Sequence, residues 1–88
     1  MNKRWEKDGA NHVLYFTPYY DEEKIAIVFC EEDGGWYFTS DLLNTNAEYL
    51  GCDKISDAKE AVERLVEEHY EDERNYFQDL LEKWKETD

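Results

Sequence analysis

Residues 24–39 read Lys-Ile-Ala-Ile-Val-Phe-Cys-Glu-Glu-Asp-Gly-Gly-Trp-Tyr-Phe-Thr. From Lys24 to Cys30 this is a strand with apolar residues on both faces, Ile25, Ile27 and Phe29 alternating with Ala26, Val28 and Cys30. Glu31-Glu32-Asp33-Gly34-Gly35 then turns the chain, because glycine accepts the positive φ that tight hairpin turns require. Trp36 to Thr39 returns as the antiparallel neighbour. A strand apolar on both faces needs cover, so one face of this sheet is expected to lie under helices.

Upstream, His12 to Thr17 reads as a third strand, and Pro18 near its end suits a sheet edge. Asp21-Glu22-Glu23 is a polar turn, and residues 1–10, with both signs of charge, read as an N-terminal arm. Downstream, residues 41–55 lack a period and read as a loop, in which Tyr49-Leu50 is either a short strand or a plug. Ser56 is a good N-cap, and Ala58, Ala61, Val62, Leu65, Val66, His69 and Tyr70 recur at helical spacing. Glu71 to Asn75 interrupts that stripe before Tyr76, Phe77, Leu80, Leu81 and Trp84 resume it.

One unbroken helix of about 30 residues would be roughly 45 Å long, longer than a compact domain of this size. Two helices with a bend near residues 70–74 are therefore expected. The unbroken alternative would push Phe77, Leu81 and Trp84 outward and imply a dimer. The expected architecture is α+β, a three-stranded antiparallel meander followed by two helices. It forms one domain over residues 1–88, with the arm at 1–10, the sheet at 11–40, the loop at 41–55 and the helices at 56–88.

The 88 residues carry 23 acidic and 10 basic side chains, a formal net charge of −13. A DNA duplex carries one charge per ~1.7 Å of axis, about 18 over a ~30 Å globule, so the chain approaches the charge of a duplex of its own length. Such a surface repels nucleic acid and membranes and attracts basic proteins; the plainer reading is that acidity serves solubility. The placement of the charge favours the first reading. Residues 20–33 sum to −5 and residues 56–73 to −6, so two short stretches hold 11 of the 13 charges. On the first helix, Glu60, Glu63, Glu67 and Glu71 form a row opposite the apolar stripe, flanked by Glu68, Asp72 and Glu73. Glu31, Glu32 and Asp33 form a second acidic site. The turns at 21–23 and 31–33 lie at opposite ends of one strand, so at most one of them joins the acids of the helix.

Catalytic and metal signatures are absent. Neither C-x-x-C nor H-x-x-x-H spacing relates Cys30, Cys52, His12 and His69, and Asp41, Asn44 and Asn46 miss the alternation of a calcium loop. Ser40 and Ser56 sit in no nucleophile motif, and Cys30 reads as a packing residue. No enzyme activity and no cofactor are expected. No apolar run approaches a membrane span and no signal peptide leads the chain, so a reduced, cytoplasmic protein is expected.

The hairpin at 24–39 followed by helices, with the acidic, Tyr/Phe-bearing stretch Glu68-His-Tyr-Glu-Asp-Glu-Arg-Asn-Tyr-Phe-Gln-Asp79, resembles small phage-encoded anti-CRISPR proteins that mimic DNA. The resemblance implies a partner that is a CRISPR effector nuclease in a bacterial host cell. Glu71, Asp72 and Glu73 would then occupy the basic cleft that reads the protospacer-adjacent motif, where carboxylates pair bidentately with arginines. The expected function is inhibition of a basic nucleic-acid-binding protein, with no direct contact to nucleic acid and a monomer as the working state. The alternative is a structural or adaptor module, or an acidic antitoxin-like partner, that pairs through apolar surface as a homodimer.

Overall fold

The computed structural model of the protein describes residues 2–86. The parts of the expected arm and helix that fall on Met1, Thr87 and Asp88 lie outside those residues. The chain runs β1 (Lys3–Asp8), β2 (Asn11–Phe16), β3 (Glu23–Cys30), β4 (Trp36–Ser40), β5 (Thr45–Tyr49) and α1 (Ile55–Glu86). The strands form one sheet in the order β1-β2-β3-β4-β5, every neighbour antiparallel. Three strands and two helices are thus corrected to five strands and one helix.

Each difference has a physical cause. The expected arm is β1, whose only apolar residue is Trp5. Its charges are matched by partners far along the chain: Lys3 Nζ lies 3.0 Å from Glu63, and Arg4 donates to both carboxylate oxygens of Glu22 at 2.9 Å. The expected loop contains β5, a polar edge strand with Ala47 at φ 53° and a register shift opposite Phe38 and Ser40. That irregularity removes the period-two signal. Helix α1 begins at Ile55, with the Ala58 N–H donating to the Lys54 carbonyl at 3.0 Å, so Ser56 lies inside the first turn. No Gly or Pro stands between residues 56 and 86 to break the backbone ladder, and the helix is continuous. The chain is consequently elongated: its radius of gyration is 16.1 Å, against about 12 Å for a compact chain of this length.

The core lies between the sheet and the first half of α1. Leu14, Ile25, Ala26, Val28 and Phe38 meet Ala58 and Val62, with Trp5, Phe16, Trp36 and Val66 packed around them. Strict alternation would send Ile25 and Ala26 to opposite faces. The register passes from Leu14–Ala26 to Tyr15–Lys24, which leaves Ile25 as the extra residue of a bulge and lets both side chains enter the core. Ser40 is the one buried polar side chain among the described residues. Its hydroxyl donates to the Ile25 carbonyl at 2.7 Å and accepts the Leu43 N–H at 3.2 Å, tying the end of β4 to β3 and to the next turn. The sheet's other face carries no helix and bears an aromatic ladder: Phe29 stacks on Tyr37 at 6.1 Å, and Tyr37 meets Tyr49 at 5.2 Å.

Candidate functional site

Burial of Ala58 and Val62 fixes the rotation of α1. Glu60, Glu67 and Glu71 lie on the opposite side and face water, Glu68 is exposed on one flank, and Asp72, turned only about 40° from Ala58, is exposed because the helix has by then passed the sheet. None of the five has an ion-pair partner within 4.0 Å among the described residues. From Glu60 to Glu73 the helix holds seven acids and Arg64, a net charge of −6. Counted all round the helix that is one net charge per ~3.5 Å of its length, whereas the five unpaired acids with the exposed Arg64 give −4 over about 18 Å, one per ~4.5 Å, sparser than the 3.4 Å of a single nucleic-acid strand.

Two members of the expected row are placed differently. Glu63 is half-buried at the edge of β1 and is engaged by Lys3, so it belongs to the packing of helix on sheet. Glu73 lies 3.1 Å from His69 Nε2, one turn earlier. Glu31, Glu32 and Asp33 lie at the far end of β3, about 26 Å of strand away from Glu23. Asp33 is a turn-fastening residue. It accepts from the Tyr37 hydroxyl at 2.7 Å and from the Gly35 N–H at 2.9 Å. These two bonds, the tyrosine's first, hold its carboxyl below the usual aspartate range. Gly35 is required there, because a Cβ would come within 2.7 Å of the Tyr49 ring.

The acids of the helix are joined instead by the 21–23 turn. Tyr70 packs on Phe16 at 6.2 Å. Its phenol is held above the ordinary tyrosine value by burial first, then by the charges of Glu23 and Glu73. Carboxylates from the sheet and the helix therefore converge around one ring. Beside it lies a cavity of about 140 Å³ with Leu14, Phe16, Ile25 and Val66 inside and Lys3, Glu63, Glu67 and Tyr70 at its edges. Lys3, ion-paired with Glu63, already sets a basic side chain at this edge and leaves Glu67 as its unpaired carboxylate. Tyr19 and Tyr20, almost fully exposed, stand in the same connection between β2 and β3. This notch was not legible in the sequence, because Phe16, Glu23 and Tyr70 meet only through the tertiary fold.

Among the described residues no group of three or more His, Cys, Asp and Glu side chains converges as metal ligands, and no helix is long and apolar enough to cross a membrane. Cys30, at the end of β3, is an exposed thiol rather than a core residue, and Cys52 is a half-buried one. Comparison with protein-family models, with curated proteins and with solved structures finds no match for the chain.

Proposed function

We propose that the protein is a non-catalytic inhibitor that docks the outer face of α1 into the basic groove of a nucleic-acid-binding protein. The observation that carries this is the set of acids Glu60, Glu67, Glu68, Glu71 and Asp72, exposed on α1 without an ion-pair partner among the described residues and offset only by Arg64. Unpaired carboxylates four residues apart repel one another and do nothing for the helix, which is the cost expected of a surface kept for a partner. The resemblance to DNA-mimicking anti-CRISPR proteins narrows the partner to a CRISPR effector nuclease in the cytoplasm of a bacterial host, with Glu71, Asp72 and Glu73 at its motif-reading cleft. Glu31, Glu32 and Asp33 belong to a separate end of the molecule and are left out of this surface.

The test is capture from nuclease-treated bacterial lysate at about 0.1 M and about 1 M salt, between which the screening length falls from roughly 10 to 3 Å. Wild type should retain a basic nucleic-acid-binding protein at the lower salt and release it at the higher. The triple reversal Glu67→Lys, Glu71→Lys and Asp72→Lys should retain on the order of 100-fold less. Equal retention by the reversal would exclude the mimic.

A further inference from the structure

Beyond Tyr70 the second half of α1 runs past the sheet. Its last contact with the sheet is Tyr70 on Phe16, and every residue from Glu71 to Glu86 is exposed. This projecting segment of 16 residues, about 24 Å long, carries an apolar stripe on the same side as Val62 and Val66. Tyr70, Phe77 and Trp84 recur at seven-residue spacing with Leu80 and Leu81 beside them, a coiled-coil type of seam. Phe77 is 61 % exposed, Leu81 51 % and Trp84 76 %. Patches of this size on a small protein mark interaction surfaces.

We infer that this segment pairs with the same segment of a second copy of the chain, in antiparallel orientation. This pairing needs no foreign partner, and it covers the Glu71–Glu73 end of the acidic surface, so a basic partner and a second copy would compete there. Charge sets the direction of pairing. The segment begins with Glu71-Asp72-Glu73, net −3, and ends with Glu82-Lys83-Trp84-Lys85-Glu86, net zero. In a parallel pair the acidic block lies against itself, a repulsive arrangement. In an antiparallel pair centred near Gln78, each acidic block lies alongside the other copy's Lys83 and Lys85, and Phe77 faces Leu80 across the axis. Glu73, the one acid on the seam, then lies beside those lysines. Among the described residues Lys83 has one ion-pair partner, Asp79, 3.3 Å away and exposed, a contact weak enough to exchange.

The area suffices. Tyr76, Phe77 and Trp84 expose about 400 Å² among them, taking about 200 Å² per aromatic side chain. With the two leucines and the lysine stems each copy offers roughly 500–600 Å², or about 1,100 Å² for the pair, just above the ~1,000 Å² expected of a specific interface. The dimer is therefore weak, with dissociation in the micromolar range. It holds the two sheets at opposite ends of a rod and leaves Glu60, Glu67 and Glu68 of both copies facing water.

The test is sedimentation equilibrium of the full chain over about 1 to 300 µM, spanning the expected range. A monomer–dimer equilibrium is expected, and Phe77→Glu with Leu80→Glu should weaken it at least 30-fold without changing the urea midpoint of the body. A wild type that stays monomeric at the highest concentration overturns the inference, and so does a dimer indifferent to the two substitutions. Orientation is read from spin labels at Glu86→Cys with Cys30 and Cys52 replaced by Ser. The antiparallel pair separates the labels by roughly 25 Å, and a parallel pair, which would also overturn the inference, brings them to about 10 Å. The readout is mass and distance of the purified chain, so failure here is distinct from failure to capture a basic partner.

Discussion

Replacing Ser40 by Ala removes one hydroxyl oxygen and, with it, two hydrogen bonds. The donor bond goes to the Ile25 carbonyl and the accepted bond comes from the Leu43 N–H. Ser40 is 2 % exposed, so water does not reach the site to replace them. A typical bond contributes about 0.5–1.5 kcal/mol, and a buried group left without a partner costs about 1–3 kcal/mol. The Ile25 carbonyl sits at the bulge and loses its acceptor role there; the Leu43 N–H lies in the less buried turn and recovers part of its loss from solvent. The expected destabilisation is about 2–3 kcal/mol. Against the roughly 4–13 kcal/mol of a domain this size, that is a large share. It is read as a fall of about 2 M in the urea midpoint, or about 10–20 °C in Tm. A loss below about 0.5 kcal/mol would refute the reasoning, since it would mean that solvent already enters where β3, β4 and the 41–44 turn meet.

Neutralising the row should separate stability from binding. Glu67→Gln, Glu68→Gln and Glu71→Gln together remove the repulsive pairs Glu63–Glu67, Glu67–Glu71 and Glu68–Asp72 and the attractive Arg64–Glu68, so stability should rise by a few tenths of a kcal/mol while capture of a basic partner falls. Urea denaturation of this variant checks the sign; a loss above about 1 kcal/mol would show that the row holds the fold. Burial, then Lys59 and Lys7, keeps the His12 imidazole below its ordinary value of 6.5. As pH falls the unfolded chain binds this proton first, so His12's contribution to stability is full above that value and declines as pH falls from it toward the depressed folded one. Urea midpoints measured at several pH values from neutral down to mildly acid should show that slope, and His12→Gln should flatten it; parallel curves would refute the assignment. Thiol titration of the native protein should find a fast Cys30 and a slower Cys52, and Cys30→Ser should leave the slow phase alone.

The elements that were legible announce themselves over a few residues. The β3–β4 hairpin follows from Asp33-Gly34-Gly35 between two apolar runs, and Asp33 does close that turn. β1 gives no such signal. It holds its place through Trp5 under Lys59, Lys3 on Glu63 and Arg4 on Glu22, contacts reaching up to sixty residues along the chain. β5 is hidden by the left-handed backbone of Ala47 and by its polar residues. The bend expected in α1 rested on the premise that an apolar stripe must be covered by its own domain, and Phe77 and Leu81 show a stripe that is not. Within the acidic surface, Glu60, Glu67, Glu68, Glu71 and Asp72 follow from helical spacing. The capture of Glu63 by Lys3, and the meeting of Glu23 with Tyr70, depend on how the helix crosses the sheet.

The central claim, that α1 presents its exposed acids to a nucleic-acid site, is tested most directly by competition. The captured partner is titrated with a short DNA duplex, and the protein's displacement is measured. Displacement by DNA of the wild-type chain, with the Glu67→Lys, Glu71→Lys, Asp72→Lys reversal unable to compete, is the result expected. A partner that binds the protein and the duplex at the same time would contradict the claim.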